Sequence, residues 1–241
     1  MRLLLFLLNF LNVRDFGANI NQNKLITVNP GGLSGFYTFG VASYLKNNYN
    51  LNNYSYLGAS AGAWNSLFLT AKKSNEEIFD DILKQDILDK SDSLANLMTN
   101  VGDYIKENYV EDEFELSKLN ICVSKLTYSG MRPTIMYNFK TLEEAVDACI
   151  LSSYIPFVTG GVGNVIKNNI TVDGGFNRFP PKNIDGVVSI HSKMWGRKFN
   201  MAEKYQYHQD VNKLHIMFSN GYNDTKEHKD DLDLVFYNKD I

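Results

Sequence analysis

Gly58-Ala59-Ser60-Ala61-Gly62 sets a serine among small residues in GxSxG spacing. Small flanks let a chain turn from strand to helix so sharply that the hydroxyl stands clear of its own backbone, as a nucleophile requires. Chance alone gives this spacing in roughly one chain of this length in ten, so the context has to carry the reading. The context fits: Tyr54-Ser55-Tyr56-Leu57 reads as a strand and Ala61 to Ala71 as a helix. The positive end of that helix would favour charge developing on Ser60. Pro30-Gly31-Gly32-Leu33-Ser34-Gly35 also lies between a strand and a helix. Successive glycines there can aim backbone N–H groups at an anion with no Cβ in the way. The loop lacks the GK[ST] ending of a P-loop and is no full GxGxxG, so an oxyanion fits it better than a bound phosphate. A third piece, Asp173-Gly174-Gly175, follows the apolar run Ile170-Thr171-Val172. It puts an acid where active-site residues of open α/β sheets collect, although an Asp before glycines is also a common turn cap.

These pieces need a frame that brings them together. Leu25-Ile26-Thr27-Val28, residues 54–57, 121–123, 134–137, 170–172, 187–190 and 214–218 read as strands. Residues 36–46, 61–71, two segments within 75–109, and 141–152 read as helices; Thr141 with Glu144 forms a capping-box signature. Strands alternating with helices predict an α/β fold with a central, mostly parallel sheet covered by helices on both faces. A right-handed βαβ unit over residues 25–58 would set the glycine loop beside Ser60 on one sheet edge. The division expected is an apolar segment and connector over residues 1–23 and one domain over 24–241.

The chain has 241 residues, 44% apolar and 21% charged, with a net charge of −3. That composition is globular, and the missing basic excess speaks against nucleic acid as a partner. Cys122 and Cys149 stand in no metal or disulfide spacing and read as inert buried thiols. With only four histidines, no metal and no cofactor are expected. The run Leu3–Leu8 with Phe10 and Leu11 is too short to cross a bilayer. It reads three ways: a signal peptide, a helix lying on a membrane surface, or a terminal helix packed on the domain.

In order and context, the glycine loop, GASAG and DGG resemble the patatin-like phospholipases, hydrolases with a Ser–Asp dyad in place of a triad. The fragment GLSGFYTFGVASYL from Gly32 to Leu45, and Ser153-Tyr154-Ile155-Pro156, are most similar to the adipose triglyceride lipase branch. The resemblance covers about residues 24–180 and implies a patatin-like three-layer fold. It implies Ser60 as nucleophile, Asp173 as general base, and Gly31 and Gly32 as oxyanion donors. Gly35, Gly58, Gly62, Gly174 and Gly175 are implied as structural members of the motifs. The substrate implied is an acylglycerol or phospholipid ester, met at a membrane or lipid-droplet surface from the cytoplasmic side or peripherally. Pro30 stands where the family has its first glycine, so the loop loses one N–H. Ser34 stands where many patatins carry Lys or Arg.

Two other readings are carried. One is an α/β-hydrolase triad with His191, His208, His215 or His228 as third member, His215 being read in a strand. The other is a lipid-surface binding protein that has lost turnover, which Pro30 would explain. Lys193-Met194-Trp195-Gly196-Arg197-Lys198-Phe199 mixes basic and apolar residues as an interfacial loop does, or as a solvated loop with one packed Trp does. Thr225 to Asp233 reads as a solvated helix face.

Overall fold

The computed structural model describes residues 12–14, 24–84, 87, 90–159, 163–166, 169–200 and 210–237. Its strands are β1 (Asn12–Arg14), β2 (Leu25–Val28), β3 (Ser55–Gly58), β4 (Leu119–Thr127), β5 (Gly130–Tyr137), β6 (Asn164–Ile166), β7 (Asn169–Val172) and β8 (Val188–Ile190). Its helices are α1 (Gly35–Asn48), α2 (Ala61–Thr70), α3 (Asn75–Lys84), α4 (Leu94–Asn108), α5 (Leu142–Ser152), α6 (Val211–Glu227) and α7 (Lys229–Phe236). The fold is mixed α/β, with a mostly parallel central sheet flanked by helices. Along the sheet the order is β1-β5-β4-β3-β2-β8, and the central run β4-β3-β2-β8 is parallel.

All four residues of β2 are buried, as expected of a central parallel strand covered on both sides. The larger core packs Ile26, Val28, Tyr56, Ile121 and Met136 of the sheet against helix residues including Tyr37, Leu45, Leu67 and Val146. The opposite face holds a smaller cluster: Leu25, Leu57, Ala59, Cys122 and Ile135, with Ile184 and Phe179 supplied by the loop ahead of β8. Sheet alternation sends neighbouring residues such as Leu25 and Ile26 to these two separate cores.

β7 departs from the parallel frame. β3 pairs with β4 only as far as Gly58 opposite Ile121. Beyond that point the same edge of β4 is taken by β7, antiparallel, with Val172 opposite Ser124. β7 therefore runs back toward the end of β3 and delivers its last residues there. The sequence supports a strand over 170–172 but carries no sign of its direction.

One expected strand is a helix. Residues 214–218 lie inside α6, where Leu214, Met217, Phe218, Gly221 and Thr225 are buried at helical spacing and Asp210 caps the start by accepting from Asn212 N–H. A short apolar run fits a buried strand or a helix face equally well, and here the longer period decides. α6 lies close on α1: a Cβ on Gly40 would stand 2.0 Å from the Phe218 carbonyl oxygen, and one on Gly221 would stand 1.9 Å from that of Tyr37. Residues 12–14, expected in a polar connector, pair antiparallel with β5 at the sheet edge. The apolar run over residues 1–11, read as signal, surface helix or packed helix, lies outside the described residues.

Candidate active site

The turn between β3 and α2 is held by contacts that admit only glycine. A Cβ on Gly62 would stand 2.0 Å from the Val28 carbonyl oxygen, and one on Gly58 would stand 2.1 Å from that of Gly62. This squeeze forces Ser60 into a left-handed backbone conformation, φ 54° and ψ −127°. Such geometry costs roughly 1–3 kcal/mol for a residue with a side chain, and it persists where its surroundings over-determine it. A serine at a helix start normally caps the helix with its hydroxyl. Ser60 is the N-cap of α2 and makes no such bond, so its Oγ is not spent on the fold.

The elbow has a support that sequence reasoning missed. The Ser60 N–H donates to Ser152 Oγ at 2.8 Å, and Ser152 donates in turn to the Cys122 carbonyl at 2.6 Å. Ser152 ends α5 and is fully buried. Two residues on, the Tyr154 carbonyl accepts from the Asp173 N–H at 2.7 Å. One short segment at the end of α5 thus holds the backbones of both Ser60 and Asp173. A serine at a helix end carries no signal of this in sequence, because its partners are 92 and 30 residues away.

Asp173 begins the one-turn helix Gly174–Phe176. Its Oδ1 accepts from the Gly175 N–H at 2.6 Å, so the turn-cap role is real. Its Oδ2 is buried with no hydrogen-bond partner. The Ser60 hydroxyl is near enough to act on the carboxylate, though not in a geometry that satisfies Oδ2. Burial pushes the Asp173 pKa up to about 6, against smaller downward pulls from Ser60 and Gly175. Gly174 is pressed on β4, where a Cβ would stand 2.2 Å from the Cys122 carbonyl oxygen.

The glycine loop meets both pieces. A Cβ on Gly35 would stand 2.6 Å from Ala61 Cβ, and one on Gly175 would stand 2.9 Å from Pro30 Cβ. Pro30, which loses an N–H from the loop, packs against the turn that carries Asp173. Gly31 caps the one-turn helix Gly32–Ser34, and its carbonyl accepts from Ser34 Oγ at 2.6 Å and Ser34 N at 3.2 Å. Because the peptide is trans, fixing that carbonyl toward the turn aims the Gly32 N–H the other way. Gly32 has φ 55°, relaxed only for glycine.

Gly32 and Ser60 both line a cavity of about 150 Å³, whose other walls include Phe36 and Phe39 of α1, Trp64 and Phe68 of α2, and Met98 of α4. Its lining carries no charged residue; Asn65, itself bonded to the Gly35 carbonyl at 3.0 Å, is one of the few polar members. An uncharged chain fits such a wall and an ionic group does not.

The histidines lie elsewhere. His215 is exposed on α6 with its ring edge to Phe79, and His228 sits between α6 and α7, stacked on Trp195 with Nδ1 2.8 Å from the Asp224 carbonyl. His191 follows β8, and burial lowers its pKa. None of these three acts on Asp173, whose environment is burial, Ser60 and Gly175. His208 lies outside the described residues. Residues 193–199 form a strap fixed to the fold: Arg197 grips Asp224 with two bonds of 2.7 and 2.8 Å, and Trp195 Nε1 donates to Thr225 Oγ1 at 3.0 Å. Thr225 is buried within the stretch read as a solvated face. Both cysteines are free and buried, with Cys122 pushed up to about 12 by burial. Among the described residues no His, Cys, Asp and Glu group could hold a metal ion.

Fold and site together define an open α/β protein with a strand–turn–helix serine at the edge of an apolar cavity. A family model described as patatin-like phospholipase matches residues 29–185, well over half of the 241 residues, and the chain belongs to that family. A search of curated proteins finds no match. Family membership supports a hydrolase of lipid acyl groups.

Proposed function

We propose that the protein hydrolyses carboxylic esters of acylglycerols or phospholipids through a Ser60–Asp173 dyad. One observation carries this reading: a buried carboxylate oxygen without a partner stands beside an uncapped, strained serine at the head of an apolar cavity. Ser60 Oγ attacks the ester carbonyl while Asp173 takes its proton. The Gly31 and Gly32 amides hold the tetrahedral oxyanion, and collapse expels the alcohol to leave an acyl-serine. Water then cleaves the acyl-enzyme with Asp173 again as base. A carboxylate at about 6 is a better base near neutrality than one at its ordinary value of 3.8. Each oxyanion donor typically contributes about 3–4 kcal/mol, so the loop matters as much as the base.

The test compares wild type, Ser60→Ala and Asp173→Asn for fatty-acid release from mixed triacylglycerol and phospholipid dispersions, with circular dichroism on each. Release by wild type alone is the expected result. Full activity of Asp173→Asn would return the base to a histidine, and an inert wild type would favour a lipid-binding role.

A further inference from the structure

Resting on the hydrolase reading, we infer that the loop Tyr154–Thr159 and the turn Gly174–Phe176 form the surface by which the protein seats itself on phospholipid. Phe157 and Val158 are 80% and 55% exposed, and Phe176 is 48% exposed. The two segments are joined by the hydrogen bond from Asp173 N–H to the Tyr154 carbonyl, and Phe157 and Phe176 each lie three residues from it. They therefore flank the carboxylate that serves Ser60.

Phe157 has no reason within the fold to be phenylalanine. Its side chain is outside the core, and its backbone is left-handed at φ 62°, a conformation unfavourable for a bulky residue. An aromatic held outward against its backbone preference is suited to an apolar partner. The same loop reaches inward: Ile155 and Thr159, on either side of Phe157 and Val158, line the cavity below Ser60. A surface continuous with a cavity fit for an uncharged chain fits a partner that supplies such chains.

Charge points to the same partner. The chain carries 27 acidic residues in 241, yet residues 148–184 contain one, the buried Asp173. Arg178 and Lys182 in this stretch are exposed. Arg178, two residues beyond Phe176, thus sets a cation beside the exposed aromatics where it can meet lipid phosphate, and the next acid along the chain is the exposed Asp185. The strap 193–199, whose composition also suggests an interface, has Trp195 and Arg197 committed to α6.

Co-sedimentation with phosphatidylcholine vesicles, with and without phosphatidylserine, tests this in a Ser60→Ala background, where turnover cannot remove the lipid. The parent should sediment with vesicles, more strongly when phosphatidylserine is present. Phe157→Asn with Val158→Ser should weaken binding about tenfold or more. Asn tolerates a left-handed backbone, so the loop conformation is kept. Arg178→Gln with Lys182→Gln should remove the preference for phosphatidylserine. In the Ser60 protein, the Phe157 and Val158 pair should leave hydrolysis of a soluble butyrate ester within about twofold while vesicle hydrolysis falls. As a second readout, Phe157→Trp should give an indole whose emission shifts to the blue on vesicles and is quenched by brominated acyl chains. Equal sedimentation of parent and the Phe157 pair, no sedimentation of either, or an unshifted indole would each overturn the docking surface. Vesicle binding that depends on Phe157 in a protein inert on every ester would keep the surface and remove the hydrolase reading.

Discussion

Two carboxylates, Asp224 in the helical C-terminal region and Asp173 at the serine elbow, show how differently one fold treats the same group. Asp224, on α6, is gripped by Arg197 and accepts from Tyr37 Oη at 2.8 Å, and these partners hold its pKa below the ordinary range. Asp173 has no cation beside it, keeps one oxygen without a partner, and is pushed up to about 6. The backbone around each follows suit. The strap is tied down by satisfied bonds, while the elbow holds a serine at φ 54° and the neighbouring loop a phenylalanine at φ 62°. Where polar atoms are paired the local structure serves stability; where they are left open and the chain is strained, function is the better explanation.

The largest expected difference is in rate. Ser60→Ala should lower ester hydrolysis about 10³-fold or more, whereas Arg197→Ala should leave kcat within about twofold, both measured on folded protein. Loss of activity in both would erase the distinction between the two regions.

Stability against pH should then separate the carboxylates in sign. A folded pKa of about 6 above an ordinary 3.8 means the folded state binds the Asp173 proton more tightly. Its contribution is present in acid and is lost as pH rises from about 4 through about 6. Asp173→Asn should therefore be more stable than wild type at pH 8, by about 3 kcal/mol, with the gap closing near pH 4. For Asp224 the folded pKa is depressed, so its contribution is present above 3.8 and lost as pH falls through the folded value. Asp224→Asn should accordingly destabilise at neutral pH. Denaturant midpoints at pH 4, 6 and 8 read both. The rate should also fall on the acid side with an apparent pKa of about 6.

Ser152→Ala would leave the Ser60 N–H and the Cys122 carbonyl unpaired in the core, costing about 1–3 kcal/mol in thermal unfolding. Because that N–H positions the elbow, kcat should fall more than KM rises, and Ser152→Thr should restore part of it. The smallest effect belongs to the strap. Arg197→Ala removes a partly exposed pair and should cost about 1 kcal/mol.

Much of the frame is legible in the amino-acid sequence. The strand–turn–helix at GASAG follows from small residues between an apolar run and a helix, and the glycine loop's place beside Ser60 follows from βαβ handedness. Less is legible where the deciding partners are remote. Nothing in Ile170-Thr171-Val172 tells that β7 runs antiparallel to β4, because direction is set by pairing and not by composition. Ser152 is one serine among many until its two distant partners are seen. Leu214–Phe218 is too short a window to tell strand from helix, and the helix period shows only when Gly221 and Thr225 are included. In the loop at 193–199 the residue types suggest an interface, while the pairing of Arg197 with Asp224 makes it a structural strap.

The most direct measurement of the Ser60–Asp173 dyad is covalent labelling with a fluorophosphonate, followed by mass mapping of the adduct. Wild type is expected to take one adduct, on Ser60, with Asp173→Asn labelling about 100-fold more slowly and His191→Ala, His208→Ala, His215→Ala and His228→Ala labelling at the wild-type rate. An adduct on another residue, or a slow histidine variant beside a fast Asp173→Asn, would contradict the dyad.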